Sequence, residues 1–278
     1  MLDPQIKDYL ASVGIRRVSE LDTALSEAFG QAEGSLHIER MTKLFDLSEE
    51  RLVYGTGGTP YLHRQQEFVD YINQNAQLSL LAASFYDHVF FKRVMEYLLR
   101  HERFFAGDIW DIGCGNGILT CFLALRHPAS CVTGLDLSPN AVSVAEKLAE
   151  RIHVTNVCFL ASDIPHQKQC DTLFSCRTVH ENVAWRALCE ESRKPALSVD
   201  QQADQHFPYA KKLAGLLKPK GYLVSIERYE DDDAYAGLLR ALGRAGLCQV
   251  RGTSMQFSCK NGDKTAAFQA VIVQRTEP

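Results

Sequence analysis

Apolar residues recur at three- and four-residue steps through the first third of the chain, whereas from Gly107 onward they gather into short runs between longer amphipathic stretches. The first pattern predicts helices over residues 4–10, 19–29, 35–52, about 61–76 and about 79–105. In the last of these, Val89, Phe90, Val94, Tyr97 and Leu98 form one apolar stripe that should pack on something. Tyr54-Gly55-Thr56-Gly57-Gly58-Thr59-Pro60 is too glycine-rich for a helix and reads as a connector, since it lacks the Lys-Ser/Thr ending and preceding strand of a phosphate-binding loop.

The second pattern is that of βαβ units and a parallel sheet. Strands are expected at 108–112, 131–135, 157–161, 172–176 and 222–226, with helices at 117–126, 139–151 and 201–217. After the acidic run Glu230-Asp231-Asp232-Asp233, a helix to Ala245 precedes two strand-like stretches, 248–258 and 265–274. The Asn261-Gly262 pair between them favours a tight hairpin, so an antiparallel pair should close the sheet. Only residues 165–170 separate the third strand's exit from the fourth strand, too few for a full crossover helix, and residues 181–195 form a long insertion after the fourth strand.

A chain of 278 residues with 46% hydrophobic and 23% charged residues can bury a large core. The net charge of −4 and the lack of a Lys/Arg-rich run argue against nucleic acid as the main partner. Nine cysteines without a Cys-x-x-Cys pair suggest neither a disulfide framework nor a metal site, and fit reduced thiols in a cytoplasmic protein. The beginning is polar, and the most apolar stretch of the N-terminal half, 78–85, is too short to cross a bilayer. No membrane partner is expected.

Asp111-Ile112-Gly113-Cys114-Gly115-Asn116-Gly117 lies where the first strand becomes a helix, and its glycines clear the side chains that would block an extended ligand from the main chain. A glycine cluster alone could serve only the turn. Asp136, 23 positions after Gly113, ends the second strand where a carboxylate can accept from both hydroxyls of a ribose. Asp163 follows the third, where it can accept from an adenine amino group while the Ile164 N–H donates to the ring. Each aspartate could instead cap a helix; together they suit successive parts of one adenosine ligand. A nicotinamide-dependent oxidoreductase would want glycine where the chain has Ile118, and leaves Asp163 unexplained.

With these motifs the sequence resembles the class I S-adenosylmethionine-dependent methyltransferase family over roughly residues 107–275. Asp111 to Gly117 looks like its first motif, Leu135-Asp136-Leu137-Ser138 like its ribose-binding strand end, and Ser162-Asp163-Ile164 like its adenine-contacting turn. Cys170-Asp171-Thr172-Leu173-Phe174-Ser175-Cys176 resembles its fourth strand, and Leu217-Lys218-Pro219-Lys220-Gly221-Tyr222-Leu223 the turn into the fifth. The resemblance implies a Rossmann-like, doubly wound α/β fold: a seven-stranded sheet, mostly parallel with an antiparallel last strand. It also implies S-adenosyl-L-methionine as cofactor, with Asp111, Gly113, Cys114, Gly115, Asn116, Gly117, Asp136, Leu137, Asp163, Ile164 and Cys176 around it. The division expected is a helical lid or cap over 1–105, which could also form a homodimer interface, and the cofactor-binding domain over 106–278.

Methyl transfer from a sulfonium is a direct displacement, so it needs alignment first and a base only when the acceptor must lose a proton. His180 and Glu181, just past the fourth strand, could serve as base and orienting group, or could cap the next helix. Arg177 lies in that same segment and could contact the acceptor, and Glu227, Arg228 and Tyr229, after the fifth strand, could contact a polar acceptor or form a solvated turn. Tyr86 and His88 could reach over the cofactor or merely pack, and Trp185 could line a pocket, whereas Trp110 should be core. The sequence after the fourth strand lacks the Asn-Pro-Pro-Tyr-like motif of amide- and adenine-modifying relatives. That disfavours adenine and glutamine-amide acceptors; the weak net acidity and the hundred or so leading residues that could cover the site favour a small-molecule acceptor, with a protein acceptor or a catalytically silent scaffold as alternatives.

Overall fold

The computed structural model describes residues 3–54, 61–165, 168–179, 197–229, 232–261 and 264–276, with backbone only for 45–54, 61–66, 261 and 264. Five helices come first: α1 (Pro4–Ser12), α2 (Leu21–Phe29), α3 (Gln31–Tyr54), α4 (Tyr61–Ile72) and α5 (Ala76–Arg100). The connector expected around Gly55 lies outside the described residues. Asn75 separates α4 from α5 because its side chain accepts from the Gln77 and Leu78 N–H groups, which starts a new helix there.

The alternating region follows as β1 (Asp108–Ile112), α6 (Ile118–Arg126), β2 (Cys131–Asp136), α7 (Pro139–Arg151), β3 (Val157–Ala161) and β4 (Cys170–Cys176). It continues as α8 (Val199–Leu216), β5 (Leu217–Arg228), α9 (Asp232–Arg244), β6 (Leu247–Gln249), β7 (Met255–Asn261) and β8 (Lys264–Arg275). The sheet order is β3-β2-β1-β4-β5-β8-β6, with β7 paired to β8. Strands β1 to β5 are parallel, whereas β8 runs antiparallel to β5, β6 and β7. This is the Rossmann-like methyltransferase topology, with one more strand than the expected seven.

The extra strand arises because 248–258 is not continuous. Gly252 takes a left-handed conformation at φ +79°, and the buried Thr253 hydroxyl donates to the Val250 carbonyl at 2.8 Å, so the chain turns between β6 and β7. β5 is also longer than expected: its register on β4 jumps from Cys170↔Leu217 to Thr172↔Tyr222. Between these pairs, Lys218 turns to Asp171 and Asp108, at 2.8 and 3.2 Å.

One apolar cluster joins α1, α5, α6 and α7 to one face of the sheet, and a second joins α8 and α9 to the other. Trp110 is buried in the second. A third, smaller cluster holds α2, α3 and α5 together. Phe90, Val94, Tyr97 and Leu98 lie in the main core as expected, but Val89 is 44% exposed: its neighbour Phe91 is the buried one, so the stripe sits on the other side of Phe90. Among the described residues no helix is long and apolar enough to cross a membrane.

Candidate cofactor and acceptor site

The turn from β1 into α6 is built by left-handed backbone, with φ +71° at Gly113 and +77° at Gly117. A Cβ on Gly113 would collide with the Thr178 hydroxyl, and one on Gly117 would stand 2.6 Å from the Ala145 Cβ of α7. Glycine at these two positions lets the loop lie between β4's exit and α7. A Cβ at Gly115 would meet nothing within 4 Å, so this part of the loop borders open space. The Gly113 and Cys114 N–H groups both donate to the Leu135 carbonyl, at 2.7 and 3.0 Å, which ties the loop to β2.

Asp136 fastens the same turn from the other side. Its Oδ2 accepts from Gly115 N–H and its Oδ1 from Ser138 N–H, both at 2.8 Å. Burial raises its pKa, the two N–H groups oppose that, and the negative charge of Asp70 adds to it. Ser138 caps α7 by accepting from Ala141 N–H, and its own hydroxyl donates to the Asp70 carboxylate on α4. Asn140 donates to the Asp70 carbonyl at 3.1 Å. Asn116 donates to the Ser79 hydroxyl at 3.0 Å, and Ser79 in turn to Asn73 at 2.7 Å. The α4–α5 junction thus touches both the glycine loop and the turn at Asp136.

Asp111 lies beneath the loop, 2% exposed, accepting from the Thr120 hydroxyl at 2.6 Å. Burial pushes its pKa up to about 7, against the Thr120 bond and with a smaller push from Asp136. Leu137 is exposed and Cys114 is buried. Asp163 is surface-exposed and paired with Lys212 at 3.0 Å, and the Ile164 N–H donates to the Asp163 carboxylate at 2.7 Å. Ile164 itself packs in the core.

At β4's exit, Cys176 is half-buried and burial pushes its thiol well above its usual range. Arg177 follows with φ +62°; its N–H donates to the Ile226 carbonyl, and its guanidinium lies 4.5 Å from the Phe90 ring centre and pairs with Asp87 of α5. The Thr178 hydroxyl donates to the Ile112 carbonyl at 3.0 Å. Glu227 is 1% exposed and accepts from Ser175 and Ser225 hydroxyls and from Val179 N–H, at 2.9, 3.1 and 3.0 Å. Tyr229 is buried with its hydroxyl 3.2 Å from His206 Nε2. The solvated turn considered for Glu227 and Tyr229 is therefore wrong: both side chains point inward, Glu227 because three donors await it and Tyr229 because α8 and α9 cover it.

The two N-terminal candidates part company. Tyr86 packs edge-on against Phe85 at 4.9 Å. His88 sits with Lys92 and Arg17, where burial first and those two cations next lower its pKa. His180, Glu181 and Trp185 lie outside the described residues. Sequence reasoning missed Asp87, Asp70, Ser79 and Thr178; a lone carboxylate inside the apolar stretch before Phe90 was the signal available for Asp87. Among the described residues no cluster of three or more His, Cys, Asp or Glu could hold a metal ion.

The methyltransferase-domain family matches residues 109–194, which hold the glycine loop, the Asp136 turn and β4. Fold and motifs together define this part of the chain as a class I S-adenosylmethionine-dependent methyltransferase domain. The release factor glutamine methyltransferase of Vibrio cholerae is 34% identical over 68 residues, 24% of each chain. The ubiquinone biosynthesis O-methyltransferase of Nitrosospira multiformis is 34% identical over 106 residues, 36% of this chain and 44% of that one. Among solved structures, the N-methyltransferase NodS of Bradyrhizobium japonicum, in complex with S-adenosylhomocysteine, aligns over 67% of this chain and 87% of its own at 16% identity and TM-score 0.47. The chain spans no more than about half the length of the curated relatives it matches.

Proposed function

We propose that the chain transfers a methyl group from S-adenosylmethionine to a small-molecule acceptor at oxygen, nitrogen or carbon. The observation that carries this reading is the contact of the α4–α5 junction with both cofactor turns, through Asn116–Ser79 and Ser138–Asp70. Helices laid over a cofactor cleft leave room for a small acceptor and exclude water from the transfer, whereas a macromolecular acceptor needs an open groove.

The residues suit the cofactor. The Gly115 region offers open main chain for its methionine part, and the Asp136 carboxylate keeps lone pairs for the ribose hydroxyls beyond those its two N–H partners use. The cofactor brings an electrophilic methyl on a positively charged sulfur. The chain's part is to align the acceptor, and the segment Cys176 to Val179 borders that position, held by Asp87, Ile112 and Glu227.

The reading is tested with methyl-labelled S-adenosylmethionine and an extract separated into small-molecule and protein fractions. Label in the small-molecule fraction is expected. Label only in protein would replace the acceptor class, and no binding of S-adenosylmethionine or S-adenosylhomocysteine by calorimetry would overturn the enzyme itself.

A further inference from the structure

Away from the cofactor turns, a cavity of about 410 Å³ lies between the end of α1, the start of α5 and the end of α7. Gly14, Arg16, Gln77, Leu80, Leu81 and Arg151 are among the residues that line it. None of these residues belongs to the glycine loop, the Asp136 turn or β4's exit. Ser79, which binds Asn116, is not among them, so the cavity occupies a different side of α5's first turns.

Its chemistry is one-sided. Two arginines and a glutamine line it, no acidic residue does, and neither arginine is paired with an acid among the described residues. Arg151 is held in place by donating to the Val13 carbonyl at 2.9 Å, which leaves most of its donors for another partner. Arg16 is anchored through its backbone, whose N–H donates to the Ser84 hydroxyl. Gly14 takes φ +77°, and a Cβ there would stand 3.5 Å from Leu80 and 4.0 Å from Arg151 Nη2, so the glycine floor brings the main chain close to the guanidinium. α5 has no acidic residue in its first turn, so the α5 side of the cavity brings no carboxylate to it. This concentration of cations stands on a chain whose net charge is −4.

We propose that this cavity is a second ligand site, separate from the cofactor cleft, that binds a phosphorylated small molecule through Arg16 and Arg151. Planar guanidiniums bind phosphate oxygens in pairs, and two arginines lining one cavity suit a phosphoryl group better than a single carboxylate. Gln77 and the apolar Leu80 and Leu81 would contact the remainder of the molecule.

The test is calorimetric titration of the full chain with pyrophosphate, with and without saturating S-adenosylhomocysteine. Saturable binding is expected in both conditions. Arg16→Gln should weaken it by about tenfold or more, the loss of a charge-assisted contact. Arg151→Gln should do the same, with melting temperature measured because this residue also holds α1. Lys147→Gln, on the same helix but outside the cavity, should leave it unchanged. The proposal is overturned by no saturable binding, by competition from S-adenosylhomocysteine, by full affinity in Arg16→Gln, or by equal losses in Lys147→Gln.

Discussion

Arg177 and Asp87 form a two-pronged ion pair, Nη1 to Oδ1 at 2.8 Å and Nη2 to Oδ2 at 3.0 Å, that fixes the first residue after β4 against helix α5. Both side chains are mostly shielded and Phe90 covers the guanidinium, so the pair is stronger than a surface ion pair. Asp87→Ala should cost about 1–3 kcal/mol of stability. It should also lower the methyl-transfer rate while S-adenosylhomocysteine affinity changes little. Arg177→Lys cannot reproduce the two-pronged geometry and should resemble it. A wild-type rate in both variants would remove the pair from the acceptor side.

If Asp136 accepts from the ribose, Asp136→Ala should weaken cofactor binding by roughly 1.5–3 kcal/mol. Its pKa is raised, chiefly by burial, and only the ionised form accepts from both hydroxyls. Affinity should therefore fall with decreasing pH, and begin to fall at a higher pH than an ordinary aspartate would dictate. Calorimetry across an acidic pH series checks both, and a flat profile in the wild type speaks against the ribose role.

Asp111 carries the opposite kind of linkage. Its folded-state pKa of about 7 lies above its ordinary 3.8, so the folded protein holds a proton that the unfolded chain releases. Whatever it contributes is fully present below its ordinary pKa and is lost as pH rises through about 7. Asp111→Asn should consequently gain on the wild type, by a few kcal/mol at most, as pH rises across that window. Denaturant titrations at matched pH values measure it; parallel curves would show that Asp111 is ionised throughout.

Gly117→Ala should destabilise the fold by at least about 1–2 kcal/mol for the left-handed backbone alone, before the clash with Ala145 is added. A thermal melt suffices, and an unchanged midpoint would mean that the turn relaxes elsewhere.

Glu227→Gln preserves shape but offers an amide to three donors. A loss of about 1–3 kcal/mol is expected in urea unfolding, since buried donors lose an acceptor.

Much of the architecture could be read from the chain because its signals are local. Glycines 113, 115 and 117 permit the left-handed backbone that the turn uses, and Asn261 ends β7 opposite Lys264 of β8, as the expected hairpin requires. The split of 248–258 into two strands was hidden because a single Gly252 competes with an otherwise strand-like run. Contacts that close the site were invisible for a different reason: Asp87 meets Arg177 across 90 positions and Asp70 meets Ser138 across 68, and only packing brings them together. Glu227 looked like surface because it is charged, and its three donors come from separate segments.

The Tyr9 hydroxyl donates to the Ile118 carbonyl, and Tyr97 on α5 donates to the Thr253 carbonyl, 156 positions later. α5 is thus completed by a strand region synthesised 156 positions after it. At about 5–20 residues per second, Tyr97 waits about 8–30 s for its partner. Through that interval the side of α5 that packs on β7 stays uncovered, which makes it a stretch for a chaperone to shield.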